Sequence, residues 1–342
     1  MSGKTYIIIR LSALGDVAMT LPALYSAADD HPGDQFVLVT QYFMSRLVID
    51  PPLNLTTLPF LQDHDGTSLG TISFTKKLHH LYPDAVVVDL NNTLRTKSIG
   101  LALKAMGHKL FSLSVPKRER RRLLAARKEA IVPPELYLPR MTDLYVLTLK
   151  KADINMLSKG RLVIGRTSCP TRVSIGIAPH AQYKGKMILE EQIIELIDGL
   201  AERFPDSDLI LYGAAGTEAR KNRKLVQLRP DTVRLTSAQG LAEEVEEIAQ
   251  LDCMVSMDSA NQHIAAMVGT PVISIWGATH PAAGYIPFRT PLANCIGVDI
   301  ECRPCSILGN KSCHRGDYAC LHRLSVPTII EAIAKEVELR RK

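Results

Sequence analysis

Long apolar runs are missing from this chain. Nothing in its 342 residues approaches the stretch needed to cross a bilayer as a helix. The apolar run Tyr6–Ile9 follows Met1-Ser2-Gly3-Lys4-Thr5; it is too short for a secretion signal, and no small-residue cleavage site follows it. The expectation is a cytoplasmic protein. Low-complexity tracts and repeats at solenoid periods are lacking, which excludes arrays and tails. GxGxxG is absent, so a dinucleotide fold of the usual kind is not indicated; GxxxxGK[ST] is absent too, so there is no P-loop. Without HExxH or a carboxylate pair at metal spacing, neither a catalytic metal nor a cofactor is expected.

What is present describes a globular protein: 46% hydrophobic and 22% charged residues, with length for two domains. The net charge is +6, and much of the excess is local. Lys117, Arg118, Arg120, Arg121, Arg122, Arg127 and Lys128 are opposed only by Glu119. A solvated face accounts for such a run, and so does contact with an anionic leaflet or a phosphorylated glycolipid, at about 1 kcal/mol per basic residue. No aromatic residues interleave with these charges, so nucleic acid is not expected as a partner. Seven cysteines occur, four of them close together: Cys302, Cys305, Cys313 and Cys320. Disulfides are disfavoured in the cytoplasm. Cys302-Arg303-Pro304-Cys305 is a CxxC half-site for zinc, but the second pair is spaced more widely than usual. A structural metal and free thiols both remain open; neither makes the loop catalytic.

Apolar β-rich runs alternate with amphipathic segments. Strands are predicted at Tyr6–Ile9, Phe36–Thr40, Ala85–Asp89, Val173–Ala178, Leu209–Tyr212, Cys253–Ser256 and Val272–Ile275. Several are apolar throughout, as parallel strands covered on both faces are. Helices are predicted between them at Asp16–Ala28, Thr93–Met106, Leu189–Arg203, Leu241–Gln250 and Ser259–Val268. This is the pattern of doubly wound α/β sheets. The alternation breaks around the basic run and the prolines 133, 134 and 139, and a helix is expected over Met141–Lys151. Two domains are expected, 1–165 and 166–325, with a final helix in 326–342 crossing back to the first. Ligands of open parallel sheets bind at the carboxyl ends of the strands, so the loops there carry the chemistry.

The first such loop is Arg10-Leu11-Ser12-Ala13-Leu14-Gly15-Asp16. Read alone, Asp16 is better explained as a helix cap than as a general base, although Gly15 would let a substrate approach the backbone. The loop after Ala178 places Lys184 and Lys186 around a glycine ahead of a helix, which suits either a phosphate or two solvated lysines. The turn Gly213-Ala214-Ala215-Gly216-Thr217-Glu218 has room for a ribose, with Glu218 as hydroxyl acceptor, or is a plain helix start. After the strand ending at Ser256, Asp258 and Ser259 begin a helix whose free amides suit a diphosphate, with His263 one turn on.

Together "RLSALGDVAMTLPAL", "GIAPHAQYKGK", "YGAAGTEAR" and "SMDSANQHIAAMVGTPVISIWGATHP" resemble glycosyltransferase family 9, the heptosyltransferase-type inverting glycosyltransferases. The resemblance implies a GT-B fold: α/β, two facing Rossmann-like doubly wound domains with a central cleft. It implies metal-independent transfer of a sugar, heptose by that likeness, from a nucleotide-sugar donor such as ADP-heptose to a phosphorylated glycolipid of the lipopolysaccharide-core kind, by an enzyme peripheral on the inner face of the inner membrane. Asp16 becomes the general base, reversing the cap reading, and Lys186 neutralises the donor diphosphate. Ser12, Gly15, Lys184, Glu218, Asp258, Ser259, Ala260 and His263 become donor-binding. Arg95 and Lys97 of "DLNNTLRTKSIG" fall where the acceptor binds. The tryptophan-proline pair that often follows the family's lysine is replaced here by Met187-Ile188-Leu189, which leaves open whether Lys184 or Lys186 meets the diphosphate. A nucleotide-sugar epimerase or NAD-linked oxidoreductase would show GxGxxG with Tyr-x-x-x-Lys, and neither occurs. A non-catalytic nucleotide- or glycolipid-binding protein on the same scaffold is the alternative, distinguished by binding without transfer.

Overall fold

The computed structural model describes residues 3–126, 131–165 and 171–342. Arg127 and Lys128 of the basic run lie outside the described residues, as do Met1, Ser2, Cys169 and residues 166–170 around the expected domain boundary. The chain divides into two compact units: residues 1–115 with 141–163, and residues 116–140 with 164–342.

The first unit holds β1 (Thr5–Ile9), α1 (Leu14–Asp30), β2 (Gln35–Gln41), β3 (Leu55–Phe60), α2 (Gln62–Asp65), α3 (Ser68–Leu81), β4 (Val86–Asp89), α4 (Leu94–Ala105) and β5 (Leu110–Ser112). All its strand pairs are parallel, in the order β3-β2-β1-β4-β5. Ile8 pairs with Leu38 on one side and Val88 on the other, and β1 is buried on both faces from Tyr6 to Ile9. That burial is why its sequence is apolar without alternation. Ile7 and Ile9 pack with Phe74, Leu78, Ile99 and Leu103 of the covering helices.

The order of elements then passes through α5 (Lys117–Ala125), which belongs to the second unit, and α6 (Met141–Lys151), which returns to the first. The sequence placed 116–140 with the first domain. These residues instead join the second unit because Leu123, Val132 and Leu138 find apolar partners in Ala282 and Ala283. Leu138 N–H donates to the Ala282 carbonyl at 2.8 Å.

The rest of the second unit holds β6 (Ser174–Ala178), α7 (Glu190–Arg203), β7 (Asp208–Leu211), α8 (Thr217–Leu228), β8 (Val233–Leu235), α9 (Leu241–Ala249), β9 (Cys253–Met257), α10 (Ala260–Met267), β10 (Val272–Ile275), β11 (Cys295–Ile296), α11 (Ala319–His322) and α12 (Val326–Arg341). Its parallel sheet runs β11-β10-β9-β6-β7-β8. The terminal helix, expected to cross back to the first domain, packs within the second unit on α7, β9 and β10. Its buried stripe Val326, Ile329, Ile333 and Val337 joins Ile193, Leu196, Ile197 and Leu200 in one core, and Arg341 pairs with buried Asp252 at 2.7 Å. Among the described residues no helix is long and apolar enough to cross a membrane.

Each sheet reverses its winding at one point: between β1 and β4 in the first unit, and between β6 and β9 in the second. Open α/β sheets bind ligands outside the carboxyl ends of the strands at such a reversal.

Candidate functional site

In the first unit the loop after β1 runs Arg10-Leu11-Ser12-Ala13 into α1, which starts two residues earlier than the sequence suggested. Ala13, not Asp16, is the residue flanking the helix start. Asp16 sits in the first turn and reaches back, its Oδ2 accepting from the Ala13 N–H at 3.2 Å. The other oxygen is held more firmly. Arg10 Nη2 lies 2.6 Å from Oδ1, and the Tyr145 hydroxyl donates to the same oxygen at 3.1 Å. The Arg10 guanidinium also stacks 5.2 Å from the Tyr145 ring centre and bonds the Leu90 carbonyl. Arg10 and Tyr145 are buried, whereas the Asp16 side chain keeps 23% of its surface open. The winding reversal is fastened by Asn91, whose Oδ1 accepts from Ser12 N–H at 2.9 Å. Asp89 Oδ1 accepts from the Asn91 and Asn92 amides, and burial pushes the Asp89 carboxyl pKa upward. Ser12 and Gly15 are half-buried beside Asp16. The result is one partly open carboxylate with its orientation fixed from behind.

In the second unit Lys186 Nζ lies 2.8 Å from Asp258 Oδ2, both side chains largely buried. Thr279 donates to the same oxygen at 2.7 Å, and Gln262 Nε2 to Oδ1 at 3.1 Å. Both oxygens of Asp258 are thus occupied by protein groups. Its place is behind Lys186, aiming an ammonium that has donors to spare. Lys184 points elsewhere, exposed, with its ammonium 5.1 Å from the Tyr318 ring centre. Of the two lysines, Lys186 joins the Asp258 cluster and Lys184 does not. Ser259 flanks the start of α10 without a side-chain cap, so the amides at Ala260 and Asn261 point outward from the helix start as anion donors. His263 is buried one turn in, its Nε2 3.2 Å from Gln262 Nε2, in the interior rather than on an open surface. Glu218 is half-buried at the start of α8, with Oε2 accepting from Ala214 N–H at 2.7 Å.

Arg95, expected at the acceptor, is engaged within its own unit. It donates to Gln62 Oε1 at 3.0 Å and the Gly66 carbonyl at 3.2 Å, and stacks over Phe60. Lys97 is exposed on α4. Cys305 and Cys320 are buried and Cys302 and Cys313 half-buried, with no disulfide among them. Burial raises the Cys302 thiol pKa and pushes that of Cys320 up to about 11. Among the described residues no three His, Cys, Asp or Glu side chains are arranged to hold a metal. The same loop nevertheless touches the site: Gly309 packs on the Lys186 stem, and buried Arg303 donates to the carbonyls of Gly277 and Thr279 at 2.7 and 2.9 Å. Sequence reasoning missed Arg10, Tyr145, Gln262 and Thr279. Arg10 carried a signal, an arginine ending an apolar strand. Tyr145 carried none, since it sits in a core-like helical pattern.

Residues 156–313 match the sequence model of glycosyltransferase family 9 (heptosyltransferase). No curated protein matches the chain. Among solved structures, Escherichia coli heptosyltransferase WaaC with ADP is 17% identical, with TM-score 0.66 over 97% of this chain and 99% of that one. The glycosyltransferase family 9 protein of Veillonella parvula DSM 2008 is 15% identical, with TM-score 0.72 over 99% and 98%. Escherichia coli ADP-heptose lps heptosyltransferase II is 16% identical, with TM-score 0.67 over 99% and 100%. The chain is therefore family 9-like in sequence over residues 156–313, and its α/β architecture is the GT-B fold of the heptosyltransferase structures.

Proposed function

We propose that this chain is an inverting, metal-independent glycosyltransferase. It moves a sugar, heptose in the first instance, from a nucleoside diphosphate donor of the ADP-heptose kind to a hydroxyl of a phosphorylated glycolipid of the lipopolysaccharide-core kind. The carrying observation is the Asp16 carboxylate, partly open and anchored by Arg10 and Tyr145 at the winding reversal. The family 9 match and the ADP bound in the WaaC structure support the donor class.

In this reading the acceptor hydroxyl gives its proton to Asp16 Oδ2 as its oxygen bonds the anomeric carbon. The bond from that carbon to the diphosphate oxygen breaks on the opposite face and the electron pair leaves with the nucleotide, so the configuration inverts. A placed base contributes about 10²–10⁴-fold. Charge gathers on the departing diphosphate. Lys186 and the amides at the start of α10 meet it, each well-placed donor contributing on the order of 3 kcal/mol. These groups serve where a divalent ion otherwise would. Asp258 steers Lys186 and does not itself touch the phosphates, which its charge would repel. Ser12 and Gly15 shape the approach to Asp16, and Glu218 accepts from the donor ribose. Arg95 shapes the acceptor side through the loop it holds, leaving Lys97 to meet an acceptor phosphate. The exposed Lys117, Arg118, Arg121 and Arg122 of α5 bring the enzyme to an anionic membrane surface, about 1 kcal/mol each.

The test is transfer itself. The protein is mixed with a phosphorylated lipid A–Kdo acceptor and, in turn, ADP-, GDP- and UDP-sugars in the presence of EDTA, and the product anomer is read by proton NMR. Transfer with inverted configuration is expected. Tight donor binding with no transfer or hydrolysis from any of them would leave only a binding protein, and transfer abolished by EDTA would remove metal independence.

A further inference from the structure

Helices α3 and α4 cover the same core of the first sheet. Phe74 and Leu78 of α3 and Ile99 and Leu103 of α4 are buried with Ile7 and Ile9 of β1. The two helices pack side by side, and Arg95 ties the start of α4 to Gln62 and Gly66, ahead of α3. With the inner stripes spent on the core, the opposite stripes face outward.

Those outer stripes are not an ordinary charged surface. Leu69 keeps 81% of its surface open, Ile72 54%, Leu94 89% and Leu101 61%. Exposed lysines continue each stripe at helical spacing: Lys76 follows Ile72 on α3, and Lys97 and Lys104 flank Leu101 on α4. Neither helix contains an aspartate or a glutamate. Of the nearest acidic residues, Asp65 and Asp89 are buried, and exposed Asp63 and Asp84 lie outside both helices. The solvent face of α7 shows the contrast. It carries Glu191, Glu195, Asp198 and Glu202 and exposes no large apolar side chain. A single exposed leucine needs no explanation, but apolar side chains on two adjacent helices, interleaved with charge of one sign, mark a surface with an occupant. That occupant is apolar within and anionic at its edge, because lysine stems lie along apolar surface and carry their ammonium groups outward. A bilayer with anionic headgroups has this order. The stripe on α4 also begins at the carboxyl end of the sheet, where Ser12, in the Asp16 loop, donates its N–H to Asn91 Oδ1 just ahead of the helix.

We propose that the outer faces of α3 and α4 form a membrane-docking surface: Leu69, Ile72, Leu94 and Leu101 enter the interface of an anionic bilayer, and Lys76, Lys97 and Lys104 meet its phosphates. The choice of a bilayer rests on the glycolipid-acceptor reading above. The surface belongs to the first unit, whereas the basic helix α5 belongs to the second.

The experiment places a reporter in the patch. The chain has one tryptophan, Trp276, fully buried in the second unit. Leu94→Trp adds an exposed one, and Leu53→Trp, at a fully exposed leucine ahead of β3, is the control. Each full-length variant is mixed with vesicles of phosphatidylglycerol and phosphatidylcholine, with and without brominated acyl chains. Emission from Leu94→Trp should shift to the blue and be quenched by the brominated lipid; emission added by Leu53→Trp should do neither. Combining Leu69→Ser, Ile72→Ser, Leu94→Ser and Leu101→Ser should weaken vesicle binding about a hundredfold and leave transfer to a deacylated acceptor at the wild-type rate. Quenching at neither position, equal quenching at both, or wild-type vesicle affinity in the fourfold variant overturns the proposal. A wild-type dimer that the fourfold variant breaks, read by sedimentation equilibrium, overturns it in favour of a second copy of this chain. Sugar transfer without vesicle binding removes the docking surface and leaves the reaction standing. Vesicle docking through Leu94 without transfer to any acceptor defeats the reaction and keeps the surface.

Discussion

At the residue scale, the two charged side chains of the proposed reaction, Asp16 and Lys186, are each held in place by others. Asp16 Oδ1 is occupied by Arg10 and Tyr145; in the proposed reaction it is Oδ2, which accepts from the Ala13 amide in this structure, that takes the proton. Tyr145→Phe removes one of those restraints but not the carboxylate. Its kcat should fall about tenfold, with a stability loss of about 1 kcal/mol, one hydrogen bond's worth. A kcat equal to wild type would show the hydroxyl has no bearing on the base. Lys186 and Asp258 depend on each other. Lys186→Met leaves Asp258 buried without its cation, and should cost about 3 kcal/mol in urea unfolding as well as about a hundredfold in kcat. Adding Asp258→Asn should return most of the stability and none of the activity. Recovery of both together would mean that Lys186 is purely structural. The pair was not legible in the sequence, because each residue lies in a separate loop and nothing in either stretch names its partner. Asp16 was legible as a polar residue at the right turn, but not as a residue held by Tyr145 from α6.

At the element scale, the strands that fill the sheet centres were readable because both faces are covered and the sequence is apolar throughout. The elements missed are those without that signature. β3 reads Leu-Thr-Thr-Leu-Pro-Phe, β5 and β8 are three residues each, and α8 buries only Asn222 and Leu225 in a highly charged segment. The terminal helix was readable and its docking was not, since an apolar stripe looks the same whichever core it meets. The cysteine-rich loop touches the candidate site through Gly309, which packs on the Lys186 stem. Gly309 has φ of +80°, and a Cβ there would lie 2.6 Å from Lys186 Cε and 3.0 Å from Cγ. Gly309→Ala should therefore cost about 1 kcal/mol from the backbone alone and displace Lys186, raising KM for the donor. An unchanged KM would detach the loop from the site. On α5, reversing Lys117, Arg118, Arg121 and Arg122 to Glu should abolish co-sedimentation with vesicles containing phosphatidylglycerol and leave transfer to a soluble acceptor intact. Equal co-sedimentation would remove the membrane role of this helix.

At the scale of the whole molecule, the same winding order is built twice, with Asp16 in the loop at one reversal and Lys186 in the loop at the other. Stability is predicted to follow buried histidine. Burial, with Arg303 nearby, holds His280 down to about 3, below its unfolded value near 6.5, so the unfolded chain takes up a proton the native one refuses. Stability then falls as pH drops below about 6.5, by roughly 1 kcal/mol per pH unit, until about pH 3. Glu244, pushed up to about 7 by burial and the charge of Glu247, works in the opposite sense over the same window. The informative quantity is the difference between wild type and His280→Asn. The variant's stability should decline less steeply from pH 7 to 5, and parallel profiles would refute the assignment. The most direct measurement of the central claim is the pair of numbers for Asp16→Asn: initial rate of sugar transfer, and ADP affinity by calorimetry. A rate lower by about 10²–10⁴-fold with unchanged ADP affinity is the predicted result. A near-normal rate, or loss of ADP binding in step with the rate, would contradict it.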